Sequence, residues 1–69
     1  MSATIRVNGE ERALSAATVD ELLRQEAIDP AAKGIAVAIN GAVAPRRAWA
    51  ETTLAAGDQI EIVKPFRGG

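Results

Sequence analysis

The dipeptide Asn-Gly occurs twice, at Asn8-Gly9 and Asn40-Gly41, and each time it closes a run suited to a strand. Both residues of the pair tolerate φ > 0, which a two-residue hairpin turn demands. Before the first turn, Thr4-Ile5-Arg6-Val7-Asn8 alternates, so Ile5 and Val7 share one face and Thr4, Arg6 and Asn8 the other. Glu10 to Leu14 returns as a second strand with Leu14 toward the core. Before the second turn, Ile35-Ala36-Val37-Ala38-Ile39 alternates large side chains with alanines, so both faces are apolar, as in a central strand. Val43 lies on a short return strand that Pro45 ends or confines to a sheet edge. Gly57-Asp58 is a turn, and Gln59 to Lys64 is the final strand.

Between the hairpins the period changes. Thr18-Val19-Asp20-Glu21 reads as a capping box, with the Thr18 hydroxyl on the Glu21 amide and the Glu21 carboxylate on the Thr18 amide. Val19, Leu22, Leu23 and Ala27 then fall on one helical face. Asp20 and Arg24, four apart, pair on the wet side. Pro30 disfavours helix at Asp29, so the helix ends by Ile28, and residues 30–34 connect to the next strand. Residues 46–53 read as irregular or as one short helical turn. With 69 residues there is one domain. One amphipathic helix must lie across a mixed sheet of four to five strands, an α+β fold of β-grasp type. The domain spans residues 1–64, and residues 65–69 form a flexible tail, because Pro65 cannot extend a central strand and terminal glycines hold no conformation alone.

Composition removes most chemistry. The chain has no Cys and no His, hence no disulfide, no thiolate or imidazole metal site and no Cys or His nucleophile. Lys plus Arg is 8 against 9 Asp plus Glu, a balance that argues against a nucleic-acid or basic membrane surface. Arg46-Arg47, with Lys33, Lys64 and Arg67, is the one possible basic patch, and RNA binding would want more stacking aromatics than Trp49 and Phe66. Trp49 reads as a plug at the end of the core. Glu10-Glu11 flanks a hairpin, Asp20-Glu21 sits in a helix's first turn, and Asp58 is a turn residue, so none of these, nor Glu61, reads as an acid or base. No stretch approaches 18 apolar residues, and the first six residues lack a secretory pattern. The expectation is a cytoplasmic protein.

The ending carries the functional signal. Gly68-Gly69 lacks Cβ atoms, so another protein's backbone can approach closely and thread the tail Phe66-Arg67-Gly68 through a narrow channel. The Gly69 α-carboxylate is then unhindered, but it needs AMP transfer from ATP to become an electrophile. The chain has no phosphate-binding Gly-x-x-x-x-Gly-Lys loop, so a partner must handle the ATP. If Ile35, Val37, Ile39, Ile60 and Ile62 face the helix, then Ala36, Ala38 and Val63 face outward as a docking surface for that partner.

The run from Ile39-Asn40-Gly41 through Val43-Ala44-Pro45-Arg46 to Trp49, then Gly57-Asp58-Gln59-Ile60-Glu61-Ile62-Val63 and Gly68-Gly69, resembles the ThiS family, the sulfur carriers of thiamine biosynthesis. Ile5-Arg6-Val7-Asn8-Gly9 and Thr18 to Leu23 match it as well. The resemblance implies a ubiquitin-like β-grasp domain that is a carrier and not an enzyme. It implies that an adenylyltransferase of the ubiquitin-activating type, using ATP and magnesium, adenylates Gly69. Sulfur drawn from a cysteine desulfurase then makes a Gly69 thiocarboxylate, which thiazole synthase accepts. No cofactor or metal is implied for this chain itself. The ending from Lys64-Pro65 is closer to the small subunit of molybdopterin synthase, which uses the same thiocarboxylate chemistry. A protein modifier forming isopeptide bonds is the further alternative on the same tail.

Overall fold

In a computed structural model, residues 3–65 are described. Two hairpins and a central last strand build one mixed sheet. The strands are β1 (Thr4–Val7), β2 (Glu10–Ala13), β3 (Ala36–Ile39), β4 (Ala42–Ala44) and β5 (Gln59–Val63), in the order β2-β1-β5-β3-β4. β1 and β5 run parallel, and the other neighbours are antiparallel. The α1 helix (Val19–Gln25) covers one face, and a 3-10 turn at Arg46–Ala48 follows β4. This is the expected β-grasp arrangement.

Both Asn-Gly turns form as read. Asn8 and Asn40 take φ of 52° and 51°, and Gly9 and Gly41 take 84° and 85°, the left-handed pair of a tight hairpin. Alternation then sorts the faces. Ile5, Val7, Val37, Ile60 and Ile62 are buried beneath Val19, Leu22 and Leu23 of the helix. Ile35 and Ile39 are half-buried against the same core, as are Leu14, Ile28 and Leu54. Each of the large aliphatic groups contributes roughly 2 kcal/mol on burial, so this face holds helix and sheet together.

Trp49 plugs the core as expected, and its Nε1 donates to the Ala44 carbonyl at 2.8 Å, which satisfies its one polar atom. The helix start differs in one bond from the capping box. Glu21 N–H donates to Thr18 Oγ1 at 3.3 Å, but the Glu21 carboxylate accepts from Ala17 N–H at 3.0 Å, one residue further back. Thr18 is extended and bridges Thr53, with Val19 N–H on Thr52 O and Leu54 N–H on Ala17 O. That short pairing straightens the chain entering the helix and presents the Ala17 amide to the carboxylate.

The helix end corrects a second expectation. Ala27 is not on the buried helical face; it is exposed, with φ of 62°. Ile28 N–H donates to Leu23 O at 2.8 Å and Ala27 N–H to Arg24 O at 3.1 Å, the paired bonds of a Schellman cap. Pro30 blocks a longer helix, and the left-handed residue turns Ile28 back onto the core. Alanine in that conformation costs roughly 1–2 kcal/mol. Ala27→Gly is therefore expected to stabilise the protein by about 1 kcal/mol in urea unfolding; a loss of stability would contradict this reading of the cap.

Candidate functional site

β5 lies in the middle of the sheet and ends at Val63, two residues before the last described residue, so whatever holds β5 sets where the chain leaves the sheet. On one side the β1 ladder runs out. Arg6 N–H donates to Asp58 O and Asn8 N–H to Ile60 O, both at 2.9 Å, and then β1 turns away. The next peptide edge, at Ile62, is met by the Asn8 side chain instead. Asn8 Oδ1 accepts from Ile62 N–H at 2.8 Å and Nδ2 donates to Ile62 O at 3.2 Å.

On the other side Asn40 does the same at the start of β5. Its backbone N–H donates to Gln59 O at 2.7 Å, and its Oδ1 accepts from Gln59 N–H at 2.9 Å. Its Nδ2 donates to Asp58 Oδ1 at 3.0 Å, while Asp58 Oδ2 accepts from Ala55 N–H at 2.8 Å. The two turn residues thus act as peptide surrogates where their own strands have left β5. The sequence reading took them as turn formers alone.

The face of the sheet away from the helix is apolar around β3. Ala36 pairs with Val63 and Ala38 with Glu61. Ala38 also pairs with Val43 of β4. Cross-strand partners share a face, so Ala36, Ala38, Val43 and Val63 form one patch beside Glu61. It holds a shallow depression of about 200 Å³. Val63 is 60% exposed and Val43 79%. The expected docking residues Ala36, Ala38 and Val63 are therefore brought together, and Val43 joins them. Val43 was legible: a two-residue turn at Asn40-Gly41 fixes Val43 opposite Ala38.

The charged residues settle into structural work. Arg12 pairs with Glu10 at 3.0 Å and Glu26 at 2.6 Å, and Arg24 with Asp20 at 3.0 Å. The Glu10 hydrogen bond first, and the charge of Glu26 second, hold the Arg12 guanidinium above its ordinary pKa; Asp20 does the same for Arg24. Arg46 leaves the imagined basic patch. Its guanidinium donates to the carbonyls of Pro30 and of Ala32, the latter at 2.6 Å, and lies 4.7 Å from the centre of the Trp49 ring. Lys33 and Lys64 line a groove with Ile28, Ile35 and Pro65 where β5 ends. Among the described residues no group of acids could hold a metal ion, and no helix is long and apolar enough to cross a membrane. Phe66, Arg67, Gly68 and Gly69, the expected tail and modified terminus, lie outside the described residues.

The profile of the ThiS family matches residues 5–69. The chain belongs to the ThiS family. It is 42% identical over 52 residues to the sulfur carrier protein ThiS of Escherichia coli, covering 75% of this chain and 76% of that protein. The crystal structure of the thiamine biosynthesis protein ThiS from Geobacter metallireducens superposes with a TM-score of 0.75 at 32% identity, covering 96% of this chain and 99% of that one. The solution structure of a thiamine biosynthesis protein from the same organism gives 0.76 at 32% identity, over 96% of this chain and 87% of that one. In this ThiS-family chain the asparagine contacts make a stability prediction. Asn8→Gly keeps the left-handed turn but removes both bonds to Ile62, and is expected to cost about 2 kcal/mol in urea unfolding. Asn8→Asp keeps the acceptor and is expected to lose about half as much; equal stability of Asn8→Gly and wild type would show that the side chain does not hold β5.

Proposed function

We propose that the working group of this protein is the Gly69 carboxyl, activated and loaded with sulfur by partners. As a member of the ThiS family the chain is a carrier and not a catalyst. Its role is sulfur carriage, for which its E. coli relative is named, in thiamine biosynthesis, for which the structural relatives from Geobacter metallireducens are named. The observation that carries the reading is the family match running through Gly69, on a domain whose described residues are built for support and docking.

In this reading an adenylyltransferase of the ubiquitin-activating type holds ATP and magnesium. A Gly69 carboxylate oxygen attacks the α-phosphorus and expels pyrophosphate, giving an acyl adenylate. A persulfide originating at a cysteine desulfurase attacks the acyl carbon and expels AMP. A thiol then cleaves the resulting acyl disulfide and leaves the thiocarboxylate. Thiazole synthase takes that sulfur in the cytoplasm. The structural relatives named for thiamine biosynthesis support this acceptor over the molybdopterin synthase likeness of Lys64-Pro65.

Phe66, Arg67 and Gly68 enter the partner's channel in this reading, and Gly68 matters because a branched side chain adds bulk where close approach is needed. Incubation with ATP, the adenylyltransferase and the sulfur donor is expected to replace one oxygen by sulfur in the intact mass. Deleting Gly69 or making Gly68→Val is expected to abolish the change at unaltered melting temperature; a deletion variant modified as well as wild type sinks the proposal.

The patch of Ala36, Ala38, Val43 and Val63 is the docking face for the adenylyltransferase. It is apolar, continuous with the strand that leads to the tail, and exposed. Val63→Asp places a charge beside Glu61 on this face, where a partner would have to desolvate it. It is expected to raise the apparent KM of adenylation at least tenfold with little change in kcat. Unchanged KM would assign the contact elsewhere.

A further inference from the structure

Gly34 and Pro65 meet where β5 leaves the sheet. Ala36 pairs with Val63, and the same antiparallel register continued sets Gly34 opposite Pro65. A Cβ built on Gly34 would stand 3.1 Å from Pro65 Cβ, 3.2 Å from Cγ and 3.5 Å from Cδ. The proline ring therefore lies against the open face of Gly34, and a side chain there would push the ring back by a few tenths of an ångström. Gly34 also holds φ of +84°, a conformation that L side chains resist.

The local backbone is stiff on the β5 side. Lys64 precedes a proline and is confined to extended conformations. Pro65 has its own φ locked and no N–H, so it cannot extend the ladder to β3, whose last pair is Ala36 and Val63. Four residues follow, which reach at most about 13 Å when extended. The direction taken at Pro65 sets where those four residues begin.

We propose that Gly34 is a positioning residue: its missing side chain seats the Pro65 ring, and that seat aims the tail at the partner's active centre. The proposal rests on the reading of Gly69 as the activated group. It asks nothing of the docking patch, which lies on the outer face of the sheet.

The test uses a matched control. Gly41 has φ of +85°, and a Cβ there meets nothing within 4 Å. Gly34→Ala and Gly41→Ala thus carry similar backbone strain and differ in the contact with Pro65. Adenylation by the adenylyltransferase is followed as pyrophosphate release with ATP and magnesium, beside melting temperature. Gly41→Ala is expected to keep wild-type kcat/KM, and Gly34→Ala to lose about tenfold, the scale of freeing one residue's backbone. Pro65→Gly removes the ring while leaving Gly34 native, and it carries the test should Gly34→Ala fold poorly. It is expected to lose a similar factor, and the double variant no more than either single one. An active wild type with equal kcat/KM in Gly34→Ala and Gly41→Ala overturns the positioning role alone, as do additive losses in the double variant. A wild type that is not adenylated overturns the Gly69 reading and the positioning role with it. Independently of activity, a nuclear Overhauser contact between Gly34 Hα and the Pro65 ring protons is expected, and its absence overturns the seat.

Discussion

Two asparagine side chains hold the strand on which the rest of this small sheet depends. β5 arrives last in the chain yet occupies the centre, between a parallel neighbour and an antiparallel one. Each neighbour turns away before β5 is fully paired. Unmet N–H and C=O groups in the middle of a sheet are costly. Asn8 meets those of Ile62, and Asn40 meets the N–H of Gln59. A primary amide presents the same donor and acceptor as a peptide group, so the hairpin residues finish the ladders that their own turns interrupt. One residue type serves both needs because asparagine tolerates the left-handed conformation and carries that amide.

The irregular half of the chain is closed by similar means. Residues 30–32 have no ladder, and Arg46 supplies donors to two of their carbonyls while stacking near Trp49. Trp49 in turn spends its indole N–H on Ala44. The segment after it pairs with the helix entrance through Thr52, Thr53 and Leu54. A domain this size has little core to spare, and in a chain without cysteine these side-chain contacts join the loops to it.

What remains free after this accounting is informative. Acidic and basic groups are engaged with one another or with the backbone, or are dispersed over the surface. Among the described residues the large exposed aliphatic side chains, Val43 and Val63, share one face with Ala36 and Ala38. In this ThiS-family chain that apolar face includes Val63, the last residue of β5.

The sequence by itself determined the hairpins, the helix, the faces and the family, because each is a local pattern: Asn-Gly turns, alternation by two, a capping threonine, a motif of fixed spacing. It also marked Ala36, Ala38 and Val63 as outward, since parity along a strand settles the face once the core side is known. Ala27 misled because its spacing fits a helix and only the need to return Ile28 to the core turns it left-handed. Tertiary structure alone decided that Asn8 and Asn40 hold β5, that Arg46 serves Pro30 and Ala32, and that Pro65 rests on Gly34. Those partners stand 14 to 54 residues apart in three of the pairings, and pattern along a chain says nothing of which distant groups the fold will bring within hydrogen-bond reach.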